Sequence, residues 1–157
     1  LLWVASFDRI DPHAIRAYAL GISLPLVLLA LLGTRLERGF GAAYTGIYGG
    51  MAQIVPRTAG VLVCVVLAVI AAPLFPGFFA MVATVIATTP AAPAAALAVV
   101  IIWLLWSWAG QRLLQGLIVG PGNGDEVVDL SLASTWAYAA ALIVLLVGGL
   151  YATGDLL

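Results

Sequence analysis

Few side chains here can do chemistry, and their positions are informative. Residues Thr58 to Thr89 read TAGVLVCVVLAVIAAPLFPGFFAMVATVIATT, without a charge and with Pro73, Pro76 and Gly77 at the centre. Each proline removes a backbone donor and clashes with the turn before it, and Gly77 lets the chain bend. A helix broken there exposes free carbonyls and two helix ends, the groups that bind charge in ion-translocating membrane proteins. A plain proline kink in a packed helix is the competing reading. From Thr58 to Gln111 the only titratable side chain is Cys64. A single thiol in an apolar run reads as buried and inert. Ser23, Thr84, Thr88 and Ser107 can relay a proton but not store one, and hydrogen bonds between helices are their expected role. Trp103, Trp106 and Trp108 precede Arg112. That order reads as an aromatic belt with a snorkelling arginine at the membrane surface. His13 is read as an exposed histidine in a polar connection, and Asp125, Glu126 and Asp129 as a solvated acidic loop.

The elements that position these residues follow from composition. The 157 residues are 64% hydrophobic and 8% charged, with a mean hydropathy of +1.18. Soluble domains carry about 25% charged residues, so the expected class is an all-α integral membrane protein. Residues 1–16 read as the end of an upstream helix followed by a polar connection, with Asp11-Pro12 as a helix start. The first span is expected over about 17–34, with Pro25 kinking it. The second is 58–89. As one straight helix it would measure roughly 48 Å, well beyond a ~30 Å hydrocarbon core, so a break at Pro73–Gly77 is expected. The remaining spans are 94–111 and 132–151, about four transmembrane helices in all, one of them discontinuous. The Gly-rich connection 39–57 is expected to hold Tyr44 and Tyr48 at headgroup level and a short flat helix near Ile47–Ala52. Arg35, Arg38, Arg57 and Arg112 against Arg9 and Arg16 put loops 35–57 and 112–131 on the cytoplasmic or matrix side. The C-terminus then lies on the periplasmic or intermembrane side. No signal peptide is evident, and the start at Leu1 rather than methionine points to a trimmed or split chain.

The order of motifs resembles the C-terminal part of the antiporter-like membrane subunits of respiratory complex I, most closely the M-type subunit. Leu36-Glu37-Arg38 after an apolar span is similar to the family's LYER helix end. Tyr48-Gly-Gly-Met-Ala-Gln-Ile-Val-Pro-Arg57 looks like its GGLAKRMP loop, and Pro73-Leu-Phe-Pro-Gly-Phe-Phe79 like its LPGLNGF helix break. Arg112 to Gly120-Pro121 is similar to its HRAYFGP exit, and Asp129-Leu-Ser opens a final helix as its DLSxRE does. The resemblance implies the family's last four helices, with 1–7 ending the helix before them. It also implies two proton-site positions, a Lys or Glu four residues after the glycine of the break and a histidine in the first of these helices. The matching positions here are Met81 and Gly21, so both proton groups are apolar or missing.

The function expected is therefore a membrane-arm subunit, or a fragment of one, of a complex I-like NADH-quinone oxidoreductase. Its own proton path would be weakened or inactive. A non-transporting structural membrane subunit is the alternative, as is the equivalent subunit of an Mrp-type cation/proton antiporter, a membrane-bound hydrogenase or a bicarbonate-uptake complex. The membrane implied is the bacterial or mitochondrial inner membrane, and the partners are the lipid bilayer and other membrane subunits. The sequence has no nucleotide loop, metal-ligand cluster or nucleophile–base set, so no stand-alone enzyme, metal or cofactor is expected. Without a lysine or a basic patch, nucleic acid is not an expected partner.

Overall fold

A computed structural model describes residues 12–40, 50–120 and 128–154. Among these, every regular element is a helix: α1 (Pro12–Phe40), α2 (Met51–Ile54), α3 (Pro56–Val69), α4 (Pro76–Thr88), α5 (Pro93–Ile118) and α6 (Leu132–Gly154). Three are long and apolar enough to cross a membrane, over Ala19–Gly39, Pro93–Ile118 and Leu132–Tyr151. The helices α3 and α4 are apolar but shorter. Pro56, Pro76 and Pro93 each stand in a first helical turn, where the missing N–H would have had no partner.

Several boundaries differ from the sequence expectation. Helix α1 continues beyond Thr34 through Arg35 and Arg38 to Phe40, and it runs through a buried Pro25. Helix α5 likewise passes Gln111 and ends at Ile118. Charge marks where a helix meets water, but Leu, Glu, Gln and Arg are good helix formers and do not stop it. Helix α2 is a single turn preceded by Gly50 in the left-handed region at φ 81°. Tyr44, Tyr48, Asp8, Arg9, Asp125, Glu126 and most of the 1–16 connection lie outside the described residues.

Helix α3 sits at the centre and packs on α1, α5 and α6. Its buried positions Thr58, Ala59, Val61, Leu62, Val65, Val66 and Ala68 recur at helical spacing and meet Leu28, Leu32 and Leu36 of α1 and Leu142 and Leu145 of α6. Cys64 is exposed, not buried as expected, and shares its side of α3 with the exposed Gly60 and Leu67. Helix α4 shares α1, α5 and α6 as neighbours with α3, yet the two scarcely touch each other. Helix α5 lies at the edge, with only Ala96 and Leu117 buried.

Candidate functional site: the helix break

The break is built from local backbone chemistry. At the end of α3, Ala71 takes φ 55°. Its N–H donates to the Ala68 carbonyl at 3.2 Å, and the Ala72 N–H donates to Leu67 at 3.0 Å. This pair of bonds closes a helix around a left-handed residue, usually glycine. The Phe75 N–H then donates to Ala72 at 2.8 Å, and Pro76 opens α4. The unwound piece is therefore residues 70–75, earlier than the Pro73–Gly77 break expected. Pro73 cannot donate to the Val69 carbonyl and crowds the turn before it, so α3 stops a turn upstream. Pro76 and Gly77 belong to the first turn of α4, where a fixed φ suits the helix start.

Two of the carbonyls this frees are taken by indoles. The Trp106 indole Nε1–H donates to the Val69 carbonyl at 3.1 Å, replacing the donor that Pro73 lacks. The Trp103 Nε1–H donates to Ile70 at 3.0 Å. The Trp103 ring also lies 5.8 Å from that of Phe78, which meets Phe79 edge-on at 5.6 Å. The surface-belt expectation is thus corrected for these two indoles. Trp103 stands about 15 Å along α5 from Pro93, at mid-helix, where an indole N–H needs an internal acceptor. Trp108 sits differently, with the Arg112 guanidinium 5.4 Å above its ring.

Glycines let neighbouring helices close on the break. A Cβ at Gly149 of α6 would stand 2.3 Å from Cγ of Pro76, and one at Gly21 of α1 3.4 Å from its Cβ. Gly21, the position matched to a family histidine, is thus a contact between α1 and the break. Across the bundle, a Cβ at Gly110 of α5 would stand 2.3 Å from Ile70 Cγ2. Gly77 is buried, and a Cβ there would lie 3.2 Å from that of Ala71. Met81 is half-buried and lines a groove of about 150 Å³ with Val85, Val100 and Trp103, all apolar at their exposed tips apart from the bonded indole. Thr84 and Thr88 donate to their own helix, to Ala80 and Thr84 carbonyls at 2.7 Å each, and not between helices as expected. Their hydroxyls reach the carbonyl four residues back more readily than a neighbouring helix.

The start of α3 is held from a distance. Val55 precedes it and offers no capping side chain. Asp129 does that work: Oδ2 accepts from the Arg57 N–H at 3.1 Å, and Oδ1 accepts from the Thr58 N–H at 3.0 Å and the Thr58 hydroxyl at 2.7 Å. The Leu130 N–H donates to the same Oδ1 at 2.7 Å, and Arg57 Nη1 reaches the Leu130 carbonyl at 3.5 Å. Burial pushes the Asp129 carboxyl up, but the Thr58 hydroxyl and the Arg57, Thr58 and Leu130 N–H groups outweigh it. They hold it below its ordinary value. Asp129 is therefore a clamp between α3 and the approach to α6, not a solvated loop residue. An anionic side chain also suits the positive end of a helix. The acidic run in the sequence could have signalled a cap, but no local pattern links Asp129 to Thr58.

Comparison with protein-family models, curated proteins and solved structures finds no match to this chain. At the break the Val69 and Ile70 carbonyls accept indole N–H groups, and no described side chain there carries a charge.

Proposed function

We propose that this chain is a membrane-arm subunit, or part of one, of a complex I-like NADH-quinone oxidoreductase, with four membrane crossings and no active proton path of its own. The fourth crossing in this reading is α3 and α4 taken together. The observation that carries it is the tryptophan-closed break. It keeps the discontinuous helix of the resemblance while occupying the carbonyls a translocating helix would leave for charge. Met81 and Gly21, where the resemblance implies proton groups, support the same reading. The arginines at 35, 38, 57 and 112 put their end of the bundle on the cytoplasmic or matrix side of an inner membrane.

Partners in this reading are other membrane subunits. Leu74 in the unwound piece is 70% exposed, and unwound backbone at membrane depth is tolerated only against protein or a wet cavity. The outward residues of α5, including Ile102, Leu104 and Leu105, favour a second reading from another class: a structural subunit that packs on a larger complex without transport. Equivalent subunits of an Mrp-type antiporter, a membrane-bound hydrogenase or a bicarbonate-uptake complex keep the first reading and change the machine.

The test is to purify the intact assembly, identify its chains by mass spectrometry and measure proton pumping in vesicles. NADH-oxidising partners are expected. In that assembly Met81→Leu, a volume-conserving change, leaves pumping unaltered. Lost pumping would put an active path through this chain, and co-purification with an antiporter or bicarbonate machine would move it to that assembly.

A further inference from the structure

At the arginine-bearing end of the bundle, the last turns of α1, the start of α3 and the approach to α6 enclose a half-open cavity of about 310 Å³. Arg35 and Arg38 line it, three residues apart and so on one face of α1. Among the described residues neither guanidinium has an ion-pair or hydrogen-bond partner. The one carboxylate among the described lining residues, Asp129, has both oxygens engaged by Arg57, Thr58 and Leu130, so it is turned to the start of α3 and not to the arginines. The walls between these charges are apolar, with Leu36, Val55 and Leu130 all buried. The described lining thus carries two guanidinium groups against one satisfied carboxylate and asks for an anion attached to something apolar.

We propose that this cavity holds the headgroup of an anionic glycerophospholipid, its phosphate between Arg35 and Arg38 and its glycerol end against Leu36, Val55 and Leu130. Guanidinium forks match phosphate oxygens in pairs, which an ammonium would not do. The site lies where the apolar stretch Ala19–Gly39 ends, the depth at which lipid phosphates stand once that helix crosses a bilayer. A free phosphate would use the arginines alone and leave the apolar wall wet. A zwitterionic headgroup would leave the surplus positive charge unmatched. The site rests on the membrane reading above, and the test separates the two.

The protein is first washed in its native membranes with alkaline carbonate and must stay in the pellet; its release overturns the membrane reading and the lipid site together. Detergent-purified protein is then titrated with phosphatidylglycerol, phosphatidylcholine and sn-glycerol 3-phosphate, with bound species read by native mass spectrometry. Phosphatidylglycerol is expected to bind best, and Arg35→Gln/Arg38→Gln to weaken it by roughly tenfold or more. Phosphatidylcholine, whose choline cation offsets its phosphate, is expected to bind more weakly from the start and to lose less. Arg112→Gln removes a charge elsewhere on the chain and should alter neither. The single Arg35→Gln and Arg38→Gln chains should each show part of the loss, which keeps the test decisive if the double variant folds poorly. Equal loss with Arg112→Gln, no loss with the pair, or glycerol phosphate binding as well as the lipid would overturn the site.

Discussion

At the scale of single residues, two indoles hold the end of α3 and one carboxylate holds its start. A carbonyl without a donor is costly in an apolar setting, which is why two indoles reach the end of α3. Trp106→Phe keeps an aromatic ring and removes only the donor to Val69. It is expected to lower stability by about 1–2 kcal/mol, read by thermal unfolding in detergent. Trp103→Phe should cost a similar amount, and an unchanged melting temperature in both would mean the indoles do not close the break. Asp129→Asn keeps one carbonyl oxygen but puts an NH2 where Oδ2 accepts from the Arg57 N–H, and it should cost about 1 kcal/mol. Because the folded carboxyl is held below its ordinary value, its contribution is fully present above about pH 4 and fades as pH falls further. The wild-type chain should therefore lose stability on acidification below that point, and the asparagine variant should lose the part of that slope due to Asp129.

At the scale of elements, glycine contacts set how close the helices come. Gly149 meets the rigid ring of Pro76, which cannot rotate away, so Gly149→Ala forces α6 off the break. A loss of about 1–3 kcal/mol is expected from such overpacking. A Cβ at the adjacent Gly148 would point into open space, with no described atom within 4 Å. Gly148→Ala should therefore be neutral or gain up to about 1 kcal/mol of helix propensity. Equal effects of the two alanines would separate α6 from Pro76. Ala71 is the opposite case. Glycine suits φ 55° better than alanine, so Ala71→Gly should raise the melting temperature slightly.

At the scale of the whole molecule, α3 is at the centre, with α1 and α6 packed on it, α4 against the same neighbours and α5 at the edge. That layout leaves a large apolar area on α5 and the exposed Leu74 at the break. A chain in this state is expected to be extracted with neighbours and to aggregate when stripped of them, a behaviour that gel filtration in mild and harsh detergents would separate. Cys64, exposed on α3, should be a tolerant site: Cys64→Ala is expected within about 0.5 kcal/mol of wild type.

The sequence by itself determined the helical class, three of the four expected apolar spans and an interruption between Thr58 and Thr89. Hydropathy and proline act locally, through burial of whole segments and through a missing N–H, so they are legible without a fold. It also marked Pro73 and Pro76 as the cause, while placing the unwound piece several residues late, because a proline ends the turn before it rather than the one it occupies. Only the tertiary structure decided which groups answer the freed carbonyls. Trp103 and Trp106 are read locally as a surface belt, and only the packing of α5 on α3 turns them to Val69 and Ile70. The same holds for Asp129 and the start of α3, and for Gly21 and Gly149 against Pro76. A hydrogen bond or a close contact between helices depends on where two distant backbones come to lie, and no spacing within either one records that distance.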